Sequence, residues 1–147
     1  MKLSTKIRYG TRAMLELAVQ YGKGPIELKE ISKRENISLK YLEQLITPLR
    51  SAGLVKSVRG SKGGYSLAKS PSEIRLGDLV EILDGPIHLT ECLSDPEGCP
   101  RSPFCVTREI WEDVSNSVSQ ILHSMTLEEM VNRRKEKEGL ISPTYQI

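Results

Sequence analysis

The sequence holds one Phe and one Trp, which leaves it no large aromatic pocket. It has three Cys, an odd number, all between positions 92 and 105, so it does not carry a disulfide framework. No apolar run approaches the ~18 residues that a membrane span needs, so no membrane association is expected. The opening Met1-Lys2-Leu3-Ser4-Thr5-Lys6-Ile7-Arg8 holds no apolar core of a signal peptide and no cleavage site. Secretion is therefore not expected, and the chain reads as cytoplasmic. No strand–GxGxxG–helix unit exists, which excludes a dinucleotide or Walker-type site. No Cys–His–acid arrangement and no cleft-forming sheet can be traced, so an enzyme is not expected.

What is present is a chain of 147 residues, 38% apolar and 27% charged. That size fits one domain, or a small domain with an appendage, able to bury a modest core. The net charge of +2 conceals a split. Residues 1–70 carry 14 Lys/Arg against 5 Asp/Glu, and residues 71–147 carry 7 against 14. A basic front half suggests a polyanionic partner, nucleic acid above all.

The basic half reads as helices followed by a hairpin. Residues 5–21 place Ile7, Met14, Leu15, Leu17, Ala18 and Val19 at helical spacing, and Gly22-Lys23-Gly24-Pro25 stops them. A short helix at 27–34 has Leu28 and Ile31 inward. Ser38 is an N-cap for a helix over 39–51, whose apolar stripe is Leu42, Leu45, Ile46 and Leu49. Lys40, Tyr41, Glu43, Gln44, Thr47 and Arg50 fall largely on the opposite face. Two short helices joined by a tight turn, the second with a polar face, form a helix-turn-helix. Residues 54–58 and 65–67 are β-prone, and Arg59-Gly60-Ser61-Lys62-Gly63-Gly64 lies between them as a glycine-rich basic tip. A hairpin directly after a helix-turn-helix is a wing. Its glycines let the backbone approach a groove, where Arg59 and Lys62 would meet negative potential.

The acidic half begins after Pro71. Leu76, Leu79, Val80, Ile82 and Leu83 suggest a short helix over 76–84, ended by Gly85-Pro86. Residues 91–105 contain three prolines and a glycine, and are expected to be a loop without regular structure. A long helix should start near Cys105. Trp111, Val114, Val118, Ile121 and Met125 are spaced 3, 4, 3, 4 along it, with Ile110 and Leu122 beside them. Such a seam needs a partner, and pairing with a second copy would give two-fold symmetry to a reader of palindromic DNA. Thr126 and Glu129 make a capping box for a final short helix. The resulting organisation is a DNA-binding region at 1–70, a cysteine-loop sensor and dimerisation region at 71–131, and a flexible tail at 132–147. The fold class is mainly α with a small β-hairpin: a winged helix-turn-helix plus a long C-terminal dimerisation helix.

The cysteines run Cys92-x6-Cys99-x5-Cys105. Paired C-x2-C knuckles, which zinc ribbons prefer, are absent, as is a dithiol redox motif. Spread thiolates on a Pro/Gly loop suit an iron–sulfur cluster, which is wider than one ion. Cys105 at a helix N-terminus should have a depressed pKa. Zinc, or three oxidisable thiols, are the other readings of the same spacing.

Met1-Lys2-Leu3-Ser4-Thr5-Lys6 with Arg8-Tyr9-Gly10, the run Ile37 to Leu45, Gly53-Leu54-Val55 through Arg59-Gly60 and Gly63-Gly64-Tyr65, and three cysteines before a Trp-bearing helix together carry a resemblance. Over about residues 1–131 the chain resembles the IscR/NsrR/CymR-type bacterial regulators, the Rrf-two family. The resemblance implies a dimeric winged helix-turn-helix repressor or activator whose long C-terminal helices cross at the dimer interface. It implies an iron–sulfur cluster, 2Fe–2S rather than 4Fe–4S, that controls affinity for double-stranded DNA. Carried across by position, Lys40, Tyr41, Glu43 and Gln44 would face the major groove, and Arg59 would enter the minor groove. Thr5, Lys6 and Tyr9 would touch phosphate, and Cys92, Cys99 and Cys105 would be metal ligands. Ser38, Arg50, Ser61 and Lys62 complete the candidate DNA-binding set.

Two departures bear on the cluster. The first gap between cysteines is one residue longer than the family pattern. Where some members carry a histidine ligand, three residues after the last cysteine, this chain has Arg108. Where others recruit a carboxylate from near residue 8 of a partner chain, it has Arg8. The fourth ligand is therefore open, with Glu91, Glu97, Glu109, Glu112, His88, a free thiol or water as candidates. A branch of the same family lacks the cysteines and senses cysteine supply through a partner enzyme; Gly85-Pro86-Ile87 resembles it. Its mode of action, through a partner protein or thiol oxidation without a cluster, is one alternative. A zinc-stabilised binding module is another.

Overall fold

The computed structural model describes residues 1–141. Helix α1, Thr5–Val19, starts where the Ser4 hydroxyl accepts the Ile7 N–H at 3.2 Å. It buries Ile7, Gly10, Ala13, Met14, Leu17 and Ala18 along one side. Helix α2, Leu28–Glu35, ends at Asn36 in the left-handed conformation, φ 54°. That reversal is the helix-turn-helix turn, and it swings Ile37 into the core at 4% exposure. Helix α3, Leu39–Ser51, is capped by Ser38 and buries the expected Leu42, Leu45, Ile46 and Leu49.

Strands β1, Val55–Val58, and β2, Gly64–Leu67, pair antiparallel from Val55↔Leu67 to Val58↔Gly64. The hairpin is not free-standing. Ile26 and Tyr65 exchange both backbone hydrogen bonds, at 2.9 and 2.8 Å, so the chain before α2 forms a third rung beside β2.

Helix α4, Leu76–Asp84, packs on α1, α3 and the long helix α6, Val106–Ser124. Between them lies α5, a single short helix at Glu91–Ser94. Helix α7, Leu127–Ile141, returns to α1. The α6–α7 junction is held as a strand would be: Leu76 N–H donates to Met125 C=O at 2.8 Å, and Leu127 N–H to Ile74 C=O at 2.9 Å. One core joins Met14, Leu17, Ile31, Leu42 and Leu49 to Ile74, Leu79 and Leu127, so burial runs through position 70 without a break. No helix among the described residues is long and apolar enough to cross a membrane.

Two expectations need correction. Residues 91–105 are not without regular structure: besides α5 they hold 3-10 turns at Pro96–Gly98 and Ser102–Phe104. Their prolines open these turns instead of preventing them, because a first-turn N–H has no intrahelical acceptor to lose. The tail expected from 132 is helical as far as Ile141. Ion pairs Glu129–Arg133 at 3.3 Å and Arg134–Glu138 at 3.1 Å, four residues apart, support that extension. The rest of that tail, 142–147, lies outside the described residues.

Candidate nucleic-acid interface and cysteine segment

The first turns of α3 and the hairpin tip lie on either side of an open depression of about 450 Å³, lined in part by Lys29, Leu39, Glu43, Arg59 and Gly60. Lys40, Glu43, Gln44, Thr47 and Arg50 are exposed on α3, and Arg59, Ser61 and Lys62 are exposed on the hairpin. Thr5 and Lys6 are exposed at the start of α1. Side chains of α3 and of the hairpin tip thus border one open depression.

Ser38 and Tyr41 are already engaged. The Ser38 hydroxyl accepts the Tyr41 N–H at 3.1 Å, which caps α3. The Tyr41 hydroxyl lies 3.0 Å from Thr5 Oγ1, and its ring meets Tyr9 edge-on with centroids 5.9 Å apart. Arg8 and Arg12 lie over the Tyr9 ring at 5.6 and 5.4 Å. Tyr41 therefore ties the start of α3 to the start of α1. Arg12 also pairs with Glu35 at 2.8 Å and donates to the Glu35 carbonyl, fixing the end of α2. Sequence reasoning missed Arg12, and with it Glu16, Arg34 and Arg134. Glu16 had a signal: it stands three residues from Ala13 on the buried side of α1 and is itself fully buried.

The cysteine segment differs in kind from the rest of the chain. No residue from Asp84 through Val114 is buried. Cys92 Sγ lies 3.0 Å from the Thr90 hydroxyl, and Cys105 Sγ lies 3.2 Å from the Thr107 hydroxyl. All three thiols are free and half-buried. The Thr107 hydroxyl, then the Arg108 backbone N–H, hold the Cys105 thiol below the usual thiol value; slight desolvation opposes them, and the Arg101 charge adds to them. Arg108 Nε reaches the Cys92 carbonyl at 3.4 Å, and its guanidinium lies 3.7 Å from Glu112. It also shares an open cleft with Cys99. The donors suit a thiolate-bound group in kind. In arrangement, no three Cys, His, Asp or Glu side chains among the described residues come together as a metal-binding group. That holds for the candidate fourth ligands too, and Glu112 is spent on Arg108.

Helix α6 turns its small and polar side to its own chain. Ser115 is buried and its hydroxyl accepts the Leu89 N–H at 3.0 Å. The His123 ring fills the space that a side chain on Gly77 would need. Of the apolar seam, Ile110 at 48%, Trp111 at 42% and Ile121 at 67% are exposed, while Val114, Val118 and Leu122 are half-buried, and Met125 lies just past the end of α6.

A helix-turn-helix with a docked β-hairpin, joined to a long helix with exposed apolar side chains, defines a winged-helix protein. The sequence model of one family, described as "Rrf2: Iron-dependent Transcriptional regulator", matches residues 3–133. The chain is 46% identical over 132 residues to the HTH-type transcriptional regulator CymR of Bacillus subtilis strain 168, covering 90% of this chain and 91% of that one. It is 43% identical to the HTH-type transcriptional regulator IscR of Pectobacterium carotovorum, over 92% of this chain and 82% of that one. The solved structure of T. potens IscR superposes with a TM-score of 0.79 at 43% identity, over 94% of this chain and 91% of that one. The chain belongs to the Rrf2 family of transcriptional regulators. These relatives are named as regulators and not as enzymes.

Proposed function

We propose that the protein is a DNA-binding transcriptional repressor or activator that grips a palindromic operator as a homodimer. The observation that carries this reading is the open depression between the first turns of α3 and the hairpin tip, with Lys6, Lys40, Arg50, Arg59 and Lys62 exposed. Lysines and arginines there supply phosphate attraction independent of sequence. Lys40, Glu43 and Gln44 supply base readout in the major groove, and Arg59 reads the minor groove from the wing. Thr5, Tyr9 and Tyr41 act by fixing the spacing between phosphate contacts on α1 and the reading end of α3. The seam from Trp111 to Met125, with Ile110, Trp111 and Ile121 exposed, is the proposed dimer contact, which would set two reading heads one half-site spacing apart.

The finer reading concerns control. Cys92, Cys99 and Cys105 would hold an iron–sulfur cluster, with the fourth ligand supplied from outside this donor set. The IscR relatives and the low thiol pKa at Cys105 support it. When bound, such a cluster supplies a redox-active centre that reacts with small molecules. The chain's own part is mechanical. With no buried side chain from Asp84 through Val114, the segment can reshape around a bound group at little cost in packing. Its movement is delivered to α6 through Cys105 at the helix start and through the Leu89–Ser115 bond.

One observation favours a second reading: the three thiols do not converge in the described structure. On that reading the segment acts through thiol oxidation or a partner protein, as in a CymR-type regulator, without a cluster. Iron and sulfide analysis of protein prepared and reconstituted without oxygen separates the two. The first reading expects visible-range absorbance that is lost on replacing any of Cys92, Cys99 or Cys105. Colourless protein that retains its DNA affinity overturns it in favour of the second, and zinc in stoichiometric amount would point to a zinc-stabilised module. Selection from random duplexes tests the DNA reading itself; recovery of no sequence overturns it.

A further inference from the structure

Helix α1 buries one charged side chain, Glu16, at 0% exposure. Its two carboxylate oxygens face different helices. Oε2 accepts from Arg34 Nη1 of α2 at 3.2 Å, and Oε1 accepts from Arg134 Nη1 of α7 at 2.7 Å. Each arginine is itself steadied on its own helix, Arg34 by Glu30 at 3.1 Å and Arg134 by Glu138 at 3.1 Å. Glu35 and Arg12, paired at 2.8 Å, stand beside this group at the end of α2.

A buried carboxylate is tolerated when its charge is matched and its lone pairs are filled. Burial works to raise the Glu16 pKa, but the groups around it, Arg134 and Arg34 among them, outweigh burial and hold it below the usual carboxylate value. Glu16 is therefore a fixed negative charge that requires both helices. If α7 withdraws Arg134, half of the pairing is lost, and the remaining contact to Arg34 must readjust.

Helix α7 follows α6 directly at Met125 and Thr126, and α2 leads into α3 through Asn36 and Ile37. Hence Glu16 stands between the helix carrying the exposed seam and the helix pair carrying the exposed basic residues. We propose that Glu16 is a positioning residue: a buried carboxylate shared by Arg34 and Arg134 that couples the placement of α7 to the placement of α2, and through α2 to the reading end of α3. This rests on the reading of the protein as a DNA-binding regulator whose C-terminal helices respond to a signal.

The first arm needs no DNA. Amide hydrogen exchange of the full chain is compared among wild type, R134M, R134K and R133M. Arg134 reaches α2 through Glu16, whereas Arg133 pairs with Glu129 on its own helix. R134M is expected to speed exchange in α2 about fivefold beyond any change in β1 and β2, a local rather than global loosening. R134K, which keeps the charge, recovers most of the protection, and R133M leaves α2 as it was. Unchanged α2 exchange in R134M overturns the proposal, as does an increase spread evenly over the chain.

The second arm uses duplexes selected by the wild type from a random-sequence pool. R134M is expected to weaken their binding about tenfold in the wild-type background and less than about twofold in E16Q, because Arg134 then has no charge to hold. Equal factors in both backgrounds overturn the coupling. A wild type that selects no duplex overturns the DNA reading instead, while the exchange arm still decides whether α7 and α2 are coupled. Should E16Q fail to fold, R134M against R134K carries the second arm, with Lys expected to restore most of the affinity and failure to do so refuting the charge-based account.

Discussion

The hairpin can be unhooked from the helices at a single glycine. Gly64 opens β2 with φ +149°, and a Cβ there would overlap the Ile26 carbonyl oxygen, with Ile26 C at 2.6 Å and Glu27 N at 2.9 Å. Those neighbours are backbone and cannot rotate away. Gly64→Ala must therefore separate β2 from the Ile26 rung, where two backbone hydrogen bonds of 2.9 and 2.8 Å are made. At about 0.5–1.5 kcal/mol each, their loss costs about 1–3 kcal/mol. Holding Ala at positive φ adds about 1–3 kcal/mol. Gly60 is the internal control: its φ is +116°, but a Cβ there meets nothing within 4 Å. Gly60→Ala should thus cost the backbone strain alone, and Gly64→Ala more by about 1–3 kcal/mol. Against domain stabilities of about 5–15 kcal/mol, a combined cost of about 2–6 kcal/mol is large enough to measure. Urea unfolding followed by circular dichroism, at one fixed protein concentration, measures both. Equal stabilities for the two variants would refute the reasoning that Gly64 is required for close approach to Ile26. The same docking predicts that Gly64→Ala loses DNA affinity, because Arg59 and Lys62 no longer stand at a fixed distance from α3.

Four further outcomes are expected. Arg59→Ala should weaken binding to a selected duplex and lower the salt slope by up to about one counterion, and unchanged binding removes the wing from the interface. Trp111→Asp puts a charge into the exposed seam; sedimentation should report a monomer with helical content intact, and a persisting dimer would place the contact elsewhere. Alkylation of Cys105 should rise with pH around a midpoint below that of an ordinary thiol, since the thiolate is the reacting form and is present above its lowered pKa; Thr107→Val should move that midpoint up. Glu16 has a lowered folded pKa, so its contribution to stability is complete above the unfolded carboxylate pKa and is lost as pH falls through the folded value. E16Q should flatten that acid limb of stability measured by denaturation, and an identical limb in both proteins would refute it.

What the sequence made legible is what short-range spacing encodes. Ser38, the stripe Leu42–Leu45–Ile46–Leu49 and the glycine-rich tip each declare themselves within one or two helical turns or one hairpin, and each lies where expected. The seam from Trp111 was equally readable because its 3-4 spacing repeats. What stayed hidden depends on residues far apart in the chain. Tyr41 has the spacing of a groove-facing residue, yet Thr5, 36 positions away, engages its hydroxyl. The four-residue spacing of Glu129–Arg133 and Arg134–Glu138 is local to α7, but nothing near Arg134 announces its second partner, Glu16, 118 positions earlier. The cysteines are a third case. Their spacing limits what they can hold, but the direction of each thiol depends on the turns at Pro96–Gly98 and Ser102–Phe104, where composition alone read a loop without regular structure.

The two proposed modes of control place the same demand on the molecule. Changing DNA affinity tenfold takes about 1.4 kcal/mol. One ordinary hydrogen bond contributes about 0.5–1.5 kcal/mol net, and a charge-assisted one more. Helix α6 is tied to the cysteine segment by bonds of that size: the Leu89 N–H on Ser115, the Arg108 guanidinium on the Cys92 carbonyl, and the Cys105 thiol against the Thr107 hydroxyl. It is tied to the rest of the fold by the Leu76–Met125 and Leu127–Ile74 bonds and by His123 against Gly77. The first set involves no buried residue before Ser115, while the second closes over the fully buried Ile74 and Leu127. Any chemistry that redirects the thiols will therefore break or remake bonds at the Cys105 end of α6 long before it disturbs the Met125 end. On either proposed mode the helix would pivot about its C-terminal junction, which is the point from which α7 and Arg134 depart.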